Sequence, residues 1–157
     1  MAILFPDGQA TLEEFLAGRP VVLSVPYHLS TADLGLSIVA TARHKASKRM
    51  IAKCFSIKSF AYKPPYREMT AQAYEPADVW VVRTLCKRYP DLQRQRAVPA
   101  LGTKLKGGRI CVWRWRGFLG ERRTIRTDRE RAPEITLVPE SGGWESRYVF
   151  IGMMPAK

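Results

Sequence analysis

The strongest constraint on the fold is a pattern of short strand-like segments and glycine turns in the last third of the chain. Residues with strand-forming composition occupy 109–119, 124–126, 135–139 and 144–153. Gly107-Gly108 and Gly142-Gly143 precede the first and the last of these segments, and paired glycines are typical of tight turns between antiparallel strands. The pattern predicts a C-terminal β-meander of three or four strands.

Helical patterns lie earlier in the chain. Residues 11–18 begin at Thr11, which can cap the free amides of a first turn, and end at Gly18, which can terminate a helix. Residues 77–89 follow Pro76, a residue suited to a first helical turn. Their apolar stripe consists of Val79, Val82, Leu85, Cys86 and Tyr89. Both segments are predicted to be helices, and residues 67–73 a further helical turn.

The remaining segments have less definite patterns. Residues 20–27 contain a β-branched run that predicts a buried strand. Residues 31–52 predict a helix, but the apolar spacing weakens after Ala42, so a hairpin with strands over 36–41 and 50–60 is the alternative. Residues 55–62 have strand-type composition and end before Pro64-Pro65. A polar linker is expected over 91–103.

Early helices and late strands together predict an α+β fold, with two or three helices in the N-terminal two-thirds packed on a mostly antiparallel sheet. A length of 157 residues predicts a single domain over 1–157. No run reaches the ~18 apolar residues of a membrane span, and no signal-peptide pattern is present. Cys54, Cys86 and Cys111 form no Cys-x-x-Cys pair and predict reduced, largely buried thiols, so we expect a cytoplasmic protein that does not bind membranes.

Charge is the first feature that bears on function. The chain carries 26 lysines and arginines against 14 acidic residues, a net charge of +12. The excess is concentrated in residues 41–70, where eight basic residues face Glu68 alone. A concentrated positive field favours polyanionic partners, and nucleic acid is the first of these.

The predicted contact residues follow from this distribution. The main contact is assigned to Arg43, Lys45, Lys48, Arg49 and Lys53. Arg83 and Lys87 flank it from the solvent side of the helix predicted over 77–89. Side chains of this kind bind phosphates without reading base sequence.

Residues 111–116 alternate between two types of side chain. One face of such a strand carries Cys111, Trp113 and Trp115, and the other carries Val112, Arg114 and Arg116. Exposed tryptophans could stack on bases, but large aromatic side chains are more often buried. We therefore expect the tryptophans to face the core and Arg114 and Arg116 to form an exposed second row of phosphate contacts.

The preferred function is a non-enzymatic binding module that engages nucleic acid or a nucleoprotein complex through this Lys/Arg-rich surface, with neither a metal nor a cofactor. The first alternative is a structural or inhibitory subunit that docks on a larger assembly, such as a virion or a phage or mobile-element complex, because tyrosine, tryptophan and arginine anchor interfaces. The second alternative is a cysteine-dependent enzyme with Cys54 as nucleophile and His28 or His44 as base.

Overall fold

The structure is a computed structural model that describes residues 9–29, 48–105, 107–115 and 133–156. Within these ranges there are four helices, α1 Leu12–Leu16, α2 Tyr66–Ala71, α3 Val79–Arg88 and α4 Leu92–Gln95. The same ranges contain seven strands, β1 Val21–Val25, β2 Lys48–Phe55, β3 Glu75–Pro76, β4 Val98–Lys104, β5 Arg109–Trp115, β6 Pro133–Pro139 and β7 Phe150–Pro155. The predicted α+β class is confirmed.

All strands pair antiparallel, in two sheets. The second sheet has the order β4-β5-β6, and Gly107 and Gly108 are both at positive φ in the turn between β4 and β5. Strands β5 and β6 lie where the meander was predicted, whereas β4 was not part of that prediction. The strand expected over 124–126 lies outside the described residues. The first sheet has the order β1-β2-β7-β3. The last strand, β7, therefore does not continue the meander but lies between β2 and β3, with Phe150 opposite Phe55 and Met154 opposite Ile51.

Backbone hydrogen bonds join the two sheets. The amide of Val149 donates to the carbonyl of Ala97 at 2.9 Å, and the amide of Gly102 donates to the carbonyl of Ala77 at 2.8 Å. A side chain at Gly102 would place its Cβ 2.3 Å from the carbonyl oxygen of Pro76, so the close approach of the strands at this junction requires glycine.

The core lies on both sides of these sheets. On one side, the apolar stripe of α3 packs with Met50 and Ala52 of β2 and with Trp113 of β5, which we call the first core. On the other side, Phe55, Phe150 and Met69 of α2 pack around Trp144, which we call the second core. β5 contributes to both cores, because its successive side chains point to opposite faces of the sheet and both faces are covered.

Several local predictions are confirmed. Helix α1 begins after Thr11, whose side chain accepts from the amide of Glu14, while the Glu14 carboxylate accepts from the amide of Thr11 in return. Strand β1 lies within the segment expected to be a strand, and helix α2 overlaps the helical turn expected over 67–73 but begins one residue earlier, at Tyr66. Helix α3 is confirmed with a later start, because Asp78 caps it by accepting from the amide of Val81, and Pro76 lies in β3 instead.

Other local predictions are wrong. The helix expected over 31–52 does not include residues 48–52, which belong to β2 because Met50, Ala52 and Cys54 alternate into the first core. Residues 30–47 lie outside the described residues. Of the strand expected over 55–62, only Phe55 belongs to a strand, as the last residue of β2. The segment expected to be a linker over 91–103 instead forms α4 and most of β4, whose apolar residues are buried. Across the described ranges, no helix combines the length and apolar character needed to cross a membrane.

Candidate functional site

The cations predicted on β2 are divided between its two faces. Successive side chains of a strand point to opposite sides, so Arg49 and Lys53 share one face, and Lys48 belongs to the face that buries Met50. Lys48 and Arg49 are exposed and Lys53 is half-buried. Arg49 and Lys53 remain together as predicted, whereas Lys48 points away from them. Arg43, Lys45 and Arg116 lie outside the described residues.

Arg83 and Lys87 lie on the opposite side of the first sheet from Arg49 and Lys53. Helix α3 carries both residues and packs on the first core, the side to which Met50 points. The structure therefore does not bring these two cations next to the β2 pair. They belong to a separate surface near the C-terminal half of α3, where Lys87 is exposed and Arg83 is half-buried.

The expectation that Arg114 is exposed is wrong. Its relative exposure is only 8%, because its side chain lies on the face of β5 that carries Ile110 and Val112, and the second core covers this face. The side-chain Nε2 of Gln93, in the adjacent helix α4, donates to the Arg114 carbonyl at 3.0 Å. The predicted core position is confirmed for Trp113, at 5% exposure, whereas Trp115 at the end of β5 is only half-buried, with its ring centroid 5.0 Å from the Arg94 guanidinium. An exposed row of phosphate contacts therefore cannot include Arg114.

A different exposed feature lies in residues 56–65, which we call the aromatic loop. Phe60 and Tyr62 are 54% and 73% exposed, although aromatic rings of this size are usually much more buried. Their ring centroids are 4.9 Å apart in an edge-to-face arrangement. The loop thus presents two adjacent rings to solvent.

The aromatic loop is attached to the fold at its middle and at its end. Ala61 and Trp144 exchange two backbone hydrogen bonds of 2.9 and 2.7 Å. Trp144 is 1% exposed, and its indole Nε1 donates to the carbonyl of Glu140 at 3.0 Å. Pro64 and Pro65 at the end of the loop are buried. The exposed rings are therefore held on a fixed base.

Gly143 provides the space for one of the rings. Its φ of +92° lies in the left-handed region, and a Cβ at this position would lie 2.6 Å from two atoms of the Phe60 ring. Both properties favour glycine here. The turn before Trp144 and the position of Phe60 consequently depend on each other.

Cations surround the aromatic loop. Lys58, Lys63 and Arg67 are exposed and line a cleft of about 680 Å³ with the backbone of the loop. None of the three forms an ion pair with a carboxylate of the described residues, although Glu68 also lines the cleft. The cleft therefore carries an excess of positive charge.

A second cleft of about 650 Å³ adjoins the first and shares Lys63, Pro64 and Tyr66 with it. Its far wall includes Gly107, Gly108 and Glu140. The acidic charge of Glu140 is already engaged, because Lys104 donates to it at 2.8 Å and the Tyr66 hydroxyl donates to its other oxygen. These hydrogen bonds hold the pKa of Glu140 below its usual value, and the bond from Lys104 has the largest effect.

Lys53 connects the β2 cations with this region. Its ammonium group donates to the side chain of Gln72, the residue directly after α2, and lies 5.6 Å from the centroid of the Phe55 ring. Helix α2 has six residues and is about 9 Å long, with Arg67 in its first turn. Lys53 contacts the residue after α2, and Arg67 in the first turn of α2 lines the first cleft, so α2 links the cations of β2 to those of the cleft. We call this set the basic surface, and it consists of Arg49, Lys53, Lys58, Lys63 and Arg67.

The three cysteines are free and buried, as predicted. Burial raises the pKa of Cys54 to about 12, and the weaker influence of Arg96 does not offset it. Burial also raises the pKa of Cys111 to about 11 and that of Cys86 further. Nucleophilic cysteines require the opposite shift. Within the ranges that the structure describes, no group of three or more His, Cys, Asp and Glu residues is placed to hold a metal ion.

The residues of the aromatic loop were not among the contact residues predicted from the sequence. Lys58 and Lys63 contributed only to the charge of 41–70, and Phe60 and Tyr62 were assigned to a strand. A signal was available, because two lysines flank two aromatic residues just before Pro64-Pro65, and the two prolines are incompatible with a continuing strand. The grouping of Lys58 and Lys63 around exposed rings, however, depends on the backbone pairing of Ala61 with Trp144.

The properties that bear on function are therefore the basic surface, the two clefts and the exposed rings between them. Comparison with known proteins finds no matching family model and no significantly similar curated protein or solved structure.

Proposed function

We propose that this protein is a non-enzymatic nucleic-acid-binding module that contacts the phosphate backbone through the basic surface. The observation that carries the proposal is the group of exposed cations around the first cleft, Lys58, Lys63 and Arg67, which lack ion-pair partners among the described carboxylates. Unpaired surface cations can neutralise phosphates and release condensed counterions, which is the dominant source of non-specific affinity for nucleic acid.

The charge composition of residues 48–67 also supports binding to nucleic acid. Residues 48–67 contain six lysines and arginines and no acidic residue. A surface that only maintains solubility usually mixes both signs of charge. Here the ion pairs formed elsewhere, such as Arg19 with Glu14 and Arg94 with Asp91, show that the chain neutralises cations at other positions.

Arg49 and Lys53 extend the proposed contact along β2. At about 3.3 Å per residue, their positions on the same face are roughly 13 Å apart. With α2 between Lys53 and the first cleft, the surface can contact several consecutive phosphates of one strand. Lys48, Arg83 and Lys87 point to the other side and are proposed to contribute only through the long-range field.

The test compares two double variants with the same loss of charge. Lys58→Gln with Lys63→Gln removes cations from the basic surface, and Arg83→Gln with Lys87→Gln removes cations from α3. Binding of labelled oligonucleotides is measured by fluorescence anisotropy between 50 and 300 mM salt. Each lost phosphate contact is expected to reduce the slope of log K against log salt by about 0.7 to 0.9.

We expect the first variant to lose about 1.5 units of slope and the α3 variant to retain the wild-type slope. Equal losses in both variants would show that binding follows overall charge and not this surface. No binding by the wild-type protein at 50 mM salt would refute the proposed function itself.

A further inference from the structure

The aromatic loop holds two rings in water that phosphate binding does not explain. Tyr62 and Phe60 are the two most exposed large hydrophobic side chains among the described residues, at 73% and 54%. A phosphate-binding surface needs only cations, and exposed aromatic rings lose the free energy of burial. The two rings therefore form an apolar surface between Lys58 and Lys63 that a phosphate contact alone does not use.

The loop is built to keep the rings in place. The two hydrogen bonds between Ala61 and the buried Trp144 fix the backbone residue that lies between Phe60 and Tyr62. Gly143 accommodates the Phe60 ring, and the edge of one ring faces the other at an interplanar angle of 89°. Because the backbone that carries the rings is held before binding, ordering it costs no further conformational entropy when a flat ligand packs on them.

The aromatic loop and the two clefts can bind a flat ring and a phosphate at the same time. Lys63 is the neighbour of Tyr62 in the chain and lines both clefts, which have volumes of about 680 and 650 Å³. Clefts of roughly 300–1,000 Å³ are of the size that accepts small organic groups. A strand that crosses Lys63 can therefore place one phosphate on this ammonium group and bring its bases to the rings and clefts on either side.

Only single-stranded nucleic acid offers bases in this way. In a duplex the faces of the bases are covered by their neighbours, so an aromatic side chain reaches them only after unstacking. In a single strand every base has an accessible face, and stacking on aromatic residues beside a cationic groove is the usual mode of binding.

We propose that the aromatic loop makes this protein selective for single-stranded over double-stranded nucleic acid, with bases stacked on Tyr62 and Phe60 and phosphates held by Lys58 and Lys63. This inference depends on the proposed nucleic-acid-binding function and specifies its substrate class. Recognition is by ring stacking and charge, so binding tolerates different base sequences.

The test uses a labelled 15-nucleotide thymidine oligomer and a mixed-sequence duplex of 15 base pairs. Tyr62→Ala is expected to weaken binding of the single strand by about 5- to 150-fold, the loss that corresponds to one stacked base. Duplex binding is expected to be unchanged. Tyr62→Trp, which keeps a stacking ring, is expected to restore single-strand affinity. The salt slope should be the same in all three proteins, because no cation is removed.

A matched control separates stacking from loss of any exposed apolar side chain. Leu137→Ala removes such a side chain from β6, where Leu137 is 46% exposed, and is expected to leave both affinities unchanged. Tyr62 is largely exposed, so its replacement should also leave the urea unfolding midpoint unchanged.

Two outcomes distinguish the two proposals. If the wild-type protein binds neither probe, the proposed function fails. If it binds both probes equally, or if Tyr62→Ala reduces single-strand and duplex binding alike or not at all, the function stands and the single-strand selectivity is refuted.

Discussion

Gly143→Ala tests whether the aromatic loop depends on the turn beneath it. The φ of Gly143 is +92°, where a Cβ costs roughly 1–2 kcal/mol. The added Cβ would also lie 2.6 Å from the Phe60 ring. Since Phe60 is 54% exposed, its ring can swing into solvent, so the contact should displace the ring more than it destabilises the protein.

Gly18→Ala is the matched control for this substitution. Gly18 follows α1 at a φ of +108°, and a Cβ there would meet nothing within 4 Å. The two variants therefore share the backbone strain, and only Gly143→Ala disturbs Phe60. Each is expected to lose about 1–2 kcal/mol of unfolding free energy, or roughly 2–8 °C in Tm for a chain of this length.

Urea denaturation and oligonucleotide anisotropy on the same preparations check both parts. We expect Gly143→Ala to weaken single-strand binding about fivefold and Gly18→Ala to leave it unchanged, because only the first displaces a stacking ring. If the two variants bind equally well, the position of Phe60 does not matter for binding. If Gly143→Ala loses less than about 0.5 kcal/mol, the conformation of this turn has been misjudged.

Two further predictions concern titratable groups. Cys54, Cys86 and Cys111 should resist alkylation by iodoacetamide at pH 7.5 until the protein is denatured, since burial raises the pKa of each thiol; rapid native-state labelling of Cys54 would instead favour the cysteine-enzyme alternative. The lowered pKa of Glu140 stabilises the fold above the unfolded-state pKa of about 4.3, and this contribution is lost as the pH falls through the folded-state value. Glu140→Gln should therefore be less stable than wild type by about 0.5–1 kcal/mol at pH 7, with a gap that closes below pH ~4; a gap that is constant from pH 7 to 3 would contradict the assigned hydrogen bonds.

Local interactions explain which parts of the fold the sequence could predict. The cap at Thr11, the apolar stripe of α3 and the glycine turn between β4 and β5 each involve residues close together in the chain. The α+β class follows from such elements. The start of α3 was placed too early because both Pro76 and Asp78 can begin a helix, and the pairing of β3 with β7 assigns Pro76 to a strand.

The predictions that were wrong concern residues whose structure depends on contacts with residues distant in the chain. Residues 48–52 have no strong local preference, and β2 becomes a strand because it pairs with both β1 and β7. The alternation around Arg114 was identified correctly, but the burial of Arg114 depends on the second core, which covers its face of β5 with residues distant in the chain. A strand pattern defines two faces without telling whether one or both are covered.

The sequence alone determined the charge of this protein, its concentration in residues 41–70 and the antiparallel meander, because these depend on composition and on neighbouring residues. Only the tertiary structure decided which cations share a surface and that Phe60 and Tyr62 are exposed beside them. The physical reason is that alternation in β2 separates Lys48 from Arg49, and that the aromatic loop is held by Trp144, a residue far along the chain.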